Sequence, residues 1–301
     1  MFNTPIVLIC FNRPLETKKV FNKIKFIKPK KLFLIMDGPR RGSNNDIVNC
    51  FLVKNIITQI SWKCRVYKNF SKKNLGLKNR IVTGLDWVFS KTNSAIILED
   101  DCMPSNNFFK FCEELLIYYK KNNLVKFITG NNFQKSMLNI KADYYFSKYS
   151  HVWGWATWKD TWKLYCDNNK MWDKYLRSKE FYKICPNFSE IKYWRSMFSK
   201  VKNGSLKSWS IYLLFTLWKN GGMTATPNIN LVKNLGFNNR ATNTKNSQIR
   251  YNKKIQSFKK NLKHPKEIIY NSSADTFVFE NIYNQSLKRK ITNFFSRMFN
   301  V

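Results

Sequence analysis

Short apolar runs alternate with longer stretches of helical spacing through the first half of the chain. Pro5-Ile6-Val7-Leu8-Ile9-Cys10-Phe11 is continuous and rich in strand formers, and a helical pattern follows from about Leu15 to Ile27. Lys31–Met36 (KLFLIM) is a second run, closed by Asp37-Gly38-Pro39-Arg40. A helix is predicted over Asp46–Ile60 and a third strand at Cys64–Tyr67. Leu77–Phe89 has helical spacing, and Ala95–Leu98 is a fourth strand that stops at Glu99-Asp100-Asp101. Phe108–Tyr119 is helical and Phe127–Gly130 is strand-like. Strands that are apolar throughout belong to a sheet buried on both faces, and strand–helix repetition makes that sheet parallel. The predicted fold class is α/β, with a Rossmann-like, mostly parallel sheet flanked by helices. Ligands of such sheets bind beyond the carboxyl ends of the strands. Arg13, Asp37 and Glu99–Asp101 each follow a predicted strand, so three polar sites are expected to meet on one edge of the sheet.

The texture changes from about Tyr144. It becomes aromatic and irregular through His151-Val152-Trp153-Gly154-Trp155-Ala156-Thr157-Trp158, followed by a helix carrying Trp209 and Trp218, and then Asn228–Gly236. From Asn243 the chain is basic and poorly patterned. Near its end, Leu287, Ile291, Phe294, Phe295, Met298 and Phe299 fall on one helical face. Two readings of Leu287–Phe299 stand: a helix lying on an anionic membrane surface, or a stripe packed on the rest of the protein. No internal repeat is present.

Composition narrows the classes of function. The chain has 301 residues, with 53 Lys+Arg against 18 Asp+Glu, a formal charge of +35. Disorder needs low hydrophobicity as well as high charge, and 44% hydrophobic with 16% aromatic residues excludes it for most of the chain. The excess is dispersed lysine, and no zinc-finger spacing or RNA-recognition signature accompanies it, so a nucleic acid partner is not expected. Seven scattered cysteines without a CxxC, and only two histidines, fit a reducing compartment better than a disulfide framework or structural zinc. The opening MFNTPIVLICFNRP has no basic region before a short apolar run, and no stretch approaches a spanning helix. The expected location is cytoplasmic, with a peripheral position on the inner membrane face if the tail binds lipid.

The sharpest chemical feature is Glu99-Asp100-Asp101. Adjacent carboxylates repel one another unless a cation neutralises them, and hard divalent ions such as Mn²⁺ or Mg²⁺ take carboxylate oxygens while leaving room for diphosphate and water. The alternative is that Asp101, close before Pro104, only favours the N-terminus of the next helix. Asp37 is either a ligand for a base or ribose, or plain turn chemistry. Arg13 is either a phosphate partner or a solvated arginine. Lys78 and Arg80, in NLGLKNR, stand where a helix N-terminus could receive a diphosphate. Trp153 and Trp155 either stack on a sugar or fill the core, and His151 is read as a packing histidine.

Taken in order, TPIVLICFNRP, KLFLIMDGPR, NLGLKNRIVTGLDWVF, AIILEDDCMPSNNFFKFCEELL, FITGNNFQ, HVWGWATWK and PNINLVKNLGF resemble the bacterial sugar transferases described as glycosyltransferase family 2-like. Those are similar in turn to the metal-dependent N-acetylglucosaminyltransferases of the GT-A fold. The resemblance covers roughly residues 4–244. It implies a GT-A domain over 1–244, with a nucleotide-sugar half at 1–135 and an acceptor half at 136–244, followed by a basic extension at 245–301. It also implies an enzyme that moves a sugar from a nucleotide-sugar donor, expected to be a UDP-sugar, to a glycan or lipid-linked acceptor in surface polysaccharide synthesis. In that family the EDD stands for the DxD motif: Asp101 would coordinate Mn²⁺, Glu99 and Asp100 would serve the ribose and metal shell, and Arg13 and Asp37 would contact the nucleotide. Trp153, Trp155 and Trp209 would frame the acceptor. Two positions depart from the pattern. Ser210 stands where an aspartate is expected as general base of an inverting transfer, and a hydroxyl cannot replace it near neutral pH. Asn243 stands where a histidine is expected. Asp160, Asp167 and Asp173 are the remaining candidates for a base, and a catalytically impaired binding protein of the same fold is the alternative.

Overall fold

The apolar runs build one sheet. β1 (Ile6–Cys10) leads into α1 (Pro14–Ile27), β2 (Lys31–Met36) into α2 (Asn44–Thr58), and β3 (Arg65–Phe70) into α3 (Leu77–Phe89). β4 (Ser94–Glu99) leads through the short β5 (Cys102–Pro104) into α4 (Asn106–Tyr118). Next come β6 (Val125–Thr129), β7 (Tyr144–Ser147), β8 (Trp155–Trp158), and the short helices α5 (Lys159–Trp162), α6 (Asn169–Tyr175) and α7 (Lys179–Ile184). The longer α8 (Phe188–Lys202) and α9 (Trp209–Lys219), strands β9 (Met223–Pro227) and β10 (Val232–Asn234), and α10 (Ser272–Val278), continued by a π-helical turn over Phe279–Tyr283, complete the order. This computed structural model describes residues 2–135, 138, 140–236, 254–256, 258 and 262–284.

Strand order in the main sheet is β3-β2-β1-β4-β8-β6-β9-β7. β3, β2, β1 and β4 pair in parallel, and only β8 and β7 run against the common direction. The fold is α/β and Rossmann-like, as the pattern predicts. Register brings the strand ends level: Cys10 lies opposite Met36, and Ile9 opposite Glu99. That alignment gathers Arg13, Asp37 and Glu99 at one edge although the chain separates them widely.

Side-chain parity explains why the central strands are apolar throughout. Ile6, Leu8 and Cys10 enter one core with Val20 of α1, Val53 of α2 and Phe111 of α4. Val7 and Ile9 enter the opposite core with Leu85 of α3 and Leu213 of α9. The helices start where local chemistry allows: Pro14 occupies the first turn of α1, Ser43 Oγ accepts from Asp46 N (3.2 Å), and Ser105 Oγ accepts from Phe108 N (3.1 Å).

The aromatic stretch that looks irregular in sequence is also part of the sheet. Trp155–Trp158 forms β8, inserted antiparallel between β4 and β6, with Trp155 opposite Ile97. Helices α6, α8 and α9 close a third, aromatic cluster containing Trp172, Trp194, Phe198, Phe215 and Trp218. Residues 262–284 return to this body: Asn271 N donates to Phe146 O of β7 (2.8 Å), and the Asp275 carboxylate accepts from Ser147 Oγ and from Lys148 N. Thr242-Asn243-Thr244 and Leu287–Phe299 lie outside the described residues. Among the described residues, no helix is long and apolar enough to cross a membrane. All seven cysteines are free thiols.

Candidate functional site

Beyond the carboxyl ends of β1, β2 and β4 lies a cleft of about 1260 Å³. It is lined at its base by Arg13, Asp37, Glu99, Asp100 and Asp101, on one wall by Gly76–Arg80 at the start of α3, and elsewhere by Leu206–Ser208, Tyr212, Asn234 and Gly236. Seven residues singled out in the sequence therefore share one cavity: Arg13, Asp37, Lys78, Arg80, Glu99, Asp100 and Asp101.

The carboxylates are held by the turn after β1. Phe11 N donates to Asp100 Oδ2 (2.9 Å), and Arg13 Nη1 donates to Asp101 and, at 3.4 Å, to Asp100 Oδ1. Asp101 is not the cap of α4, because Ser105 fills that place. Instead its carboxylate accepts from Arg13 and from the Cys102 thiol (3.4 Å). Burial, and then the charge of Asp101, push Glu99 up to about 8 and Asp100 up to about 7, with Arg13 opposing. Burial disfavours the charged form of Arg13, but Asp100, Asp101 and Glu99 more than offset it and raise its pKa. One guanidinium thus faces three acids. Such a donor set gains from a further hard cation. It does not form a closed protein cage: among the described residues, no three His, Cys, Asp or Glu side chains are placed to share one ion. A divalent cation would fit there only with oxygens from a ligand and water completing its shell.

Asp37 has a different use. Its carboxylate accepts from the backbone N–H of Gly38 (2.9 Å), Leu75 (2.9 Å) and Gly76 (3.1 Å). This ties the end of β2 to the start of α3, and Gly76 enters that helix at φ 75°, where a side chain would be strained. Three N–H donors give Asp37 a positioning role at this junction, and it lines the cleft as well. Arg80 is buried; its Nη2 donates to Asn69 O (3.0 Å) and Oδ1 (2.9 Å), while its Nε–H has no hydrogen-bond partner. Burial lowers its pKa and Asp37 opposes the fall. Lys78 Nζ pairs with Asp167 Oδ2 (2.9 Å) and lies 4.1 Å from the centre of the Tyr212 ring.

Two of the tryptophans are core residues. Trp155 is buried at the centre of the sheet, 4.9 Å from Phe127 and 5.8 Å from Trp209, itself buried. Neither has a ring face left for a sugar. Trp153 is partly buried against the edge of Phe133 (5.2 Å), and none of the three lines the cleft. His151 is buried, packed against Phe133, and held neutral by burial, at about 3.

Ser210 Oγ lies 3.1 Å from Ser208 Oγ, and it is Ser208 that reaches the cleft wall. Asp160 pairs with Lys163 and Asp173 with Lys202, both at exposed positions away from the cleft. Asp167 touches the cleft only through Lys78. The structure adds Glu16, Asn45, Asn49, Tyr212, Asn234 and Gly236 to the lining. Of these, Asn234 and Gly236 carry a signal in sequence, since both lie in PNINLVKNLGF. Leu235 N donates to Asp101 O (2.7 Å), and a Cβ on Gly236 would overlap the Asp101 carboxylate.

No protein-family model matches the chain, and no curated protein matches it. Among solved structures, 4-diphosphocytidyl-2C-methyl-D-erythritol synthase from Anaerococcus prevotii aligns with a TM-score of 0.34 and 13% identity over 59% of this chain and 77% of that one. HddC from Yersinia pseudotuberculosis aligns at 0.32 and 11% identity, over 54% and 78% of the two chains. The same protein complexed with GMP-PN gives 0.34 and 10% over the same shares. Likeness this remote carries no argument about the cleft, whose chemistry rests on its own residues.

Proposed function

We propose that the protein is a glycosyltransferase that takes a sugar from a nucleotide-sugar donor, with a UDP-sugar as first choice, and passes it to a glycan or lipid-linked acceptor in the synthesis of a surface polysaccharide. The observation that carries this reading is the meeting of Arg13, Lys78 and Arg80 with Glu99, Asp100 and Asp101 in one cleft at the carboxyl ends of parallel strands. Cations beside hard carboxylates suit a diphosphate and its counter-ion, and suit an apolar substrate poorly.

In this reading the ammonium of Lys78 on the cleft wall offers a donor to the diphosphate and the guanidinium of Arg80 adds positive charge behind it, while Glu99 and Asp100 accept from the ribose hydroxyls. Asp101 would hold Mn²⁺ or Mg²⁺. An ion held there would supply Lewis-acid stabilisation for a departing nucleoside diphosphate. Arg13, which donates to both Asp100 and Asp101, would orient their carboxylates for that task. Leu206–Ser208 and Tyr212 line the same cleft, and in this reading the acceptor would enter beside them.

A second reading, a nucleotide-sugar or glycan-binding protein of impaired catalysis, is favoured by one observation: Ser210 bonds to Ser208, and Asp160, Asp167 and Asp173 are each paired with a lysine instead of standing free at the cleft. Donor hydrolysis and transfer with UDP-sugars and Mn²⁺, comparing wild type with Asp101→Ala, tests the main proposal. Multiple turnover that falls about a hundredfold in the variant supports it; equal turnover in both removes the metal role, and tight donor binding without turnover selects the second reading.

A further inference from the structure

Helix α2 is apolar on both of its faces. Its inner side places Cys50, Val53 and Ile57 in the core. Its outer side, where a surface helix carries polar residues, presents Ile47, Val48, Phe51 and Leu52 at 54%, 56%, 63% and 42% exposure. Helix α1, packed beside it, adds Leu15 and Phe26 at 62% and 67%. Scattered single hydrophobics on a surface need no explanation, but a run of four on one helix face marks an interaction site.

Charge identifies the partner. Lys18 and Lys19 of α1 and Lys54 of α2 are exposed on the same two helices, and Arg41 is exposed just before α2. Of the two carboxylates on these helices, Asp46 is buried and paired with Arg40, and Glu16 lines the cleft. A second copy of a chain of charge +35 would meet this face with like charge. Exposed aliphatic and aromatic side chains that share these helices with exposed lysines instead match an anionic bilayer, where apolar groups enter the headgroup boundary and cations meet lipid phosphate. The face also adjoins the mouth of the cleft, since Leu15, Asn45 and Asn49 belong to the cleft lining.

We infer that the outer face of α1 and α2 docks the protein on an anionic membrane surface, with the cleft opening beside the lipid headgroups. This surface is distinct from Leu287–Phe299, and the inference does not rest on the chemistry proposed for the cleft.

The test is flotation of the full chain with vesicles of pure phosphatidylcholine and of three parts phosphatidylcholine to one part phosphatidylglycerol. Wild type is compared with Phe51→Ser/Leu52→Ser and, as a second pair, Ile47→Ser/Val48→Ser, each checked for native circular dichroism. The expected result is binding to the anionic vesicles that weakens about tenfold in a folded pair variant and also weakens at about 0.5 M salt. Wild type that fails to float, or folded variants that float equally, overturns the inference. Sedimentation in the absence of lipid supplies the remaining outcome: self-association of wild type that the variants lose, without vesicle binding, assigns the face to a second copy and overturns it as well.

Discussion

Arg13 donates to the carboxylate of Asp101, so the turn after β1 is tied to the turn after β4 at the base of the cleft. The same guanidinium reaches Asp100 at 3.4 Å. Removing it takes away the cation paired with Asp100 and Asp101. Arg13→Met is therefore expected to weaken UDP binding about tenfold or more and to lower the melting temperature. Calorimetric titration and a thermal melt measure the two effects. Arg13→Lys recovers only part of the affinity, because the shorter lysine with its compact ammonium does not reproduce the position of Nη1 between the two carboxylates.

Glu99 gives a pH signature of defined sign. Its proton affinity is raised in the folded state, to about 8, above that of an unfolded glutamate. The folded state therefore binds the proton more tightly, and stability is lost as pH rises through that range. Without ligand, the protein is expected to melt higher at about pH 5 than at about pH 9 as far as this group contributes. Glu99→Gln should raise the melting temperature at the upper pH by roughly 3 °C and leave it nearly unchanged at the lower one. The same variant should bind nucleotide more weakly, which separates stability from function.

Asp37 predicts the opposite stability effect. Three backbone N–H groups converge on its buried carboxylate. Asp37→Ala leaves them unsatisfied at the junction of β2 and α3, and a cost of about 2–4 kcal/mol is expected in urea unfolding. A destabilisation below about 0.5 kcal/mol would contradict the positioning role.

Gly236 tests the geometry around Asp101. An added Cβ would overlap the Asp101 carboxylate and stand 3.0 Å from Asn234 Oδ1. Gly236→Ala is expected to reduce metal-dependent UDP affinity about tenfold while lowering the melting temperature by no more than about 3 °C. Unchanged affinity would show that the carboxylate's present position is not needed.

Ser210 addresses catalysis. If the missing carboxylate limits transfer, Ser210→Asp should raise turnover about tenfold or more with donor affinity nearly constant. A pH–rate profile of the variant should gain a limb from the new base. Turnover that is already high in wild type and falls in the variant would place the base elsewhere.

How far the sequence reads into this structure depends on the range of the interaction. Strands β1, β2 and β4 were legible as short apolar runs and their helices as helical periods, and Leu77–Phe89 matches its helix end to end, whereas β3, with Lys68 and Asn69 in an edge strand, runs beyond the predicted Tyr67 to Phe70. β8 was hidden, because Trp155–Trp158 has no run of aliphatic strand formers and becomes a strand only by insertion between β4 and β6. The cap of α4 illustrates local ambiguity: Asp101 and Ser105 both precede the helix, and only the bond from Phe108 N to Ser105 decides between them. Asp37 illustrates the non-local kind, since Leu75 and Gly76, which claim its oxygens, are far away in sequence. For Trp155 and Trp209, the mutual packing that buries them appears only when α9 closes on the sheet.

The most direct test of the account is calorimetric titration of UDP into the full chain, with Mn²⁺ and with chelator, for wild type and Asp101→Ala. The account predicts saturable binding to wild type in Mn²⁺ that weakens about tenfold or more on chelation and to a similar extent in the variant. Binding of equal strength in all four titrations, or no binding by wild type in Mn²⁺, would contradict the claim that this carboxylate cleft receives a nucleoside diphosphate together with a divalent cation.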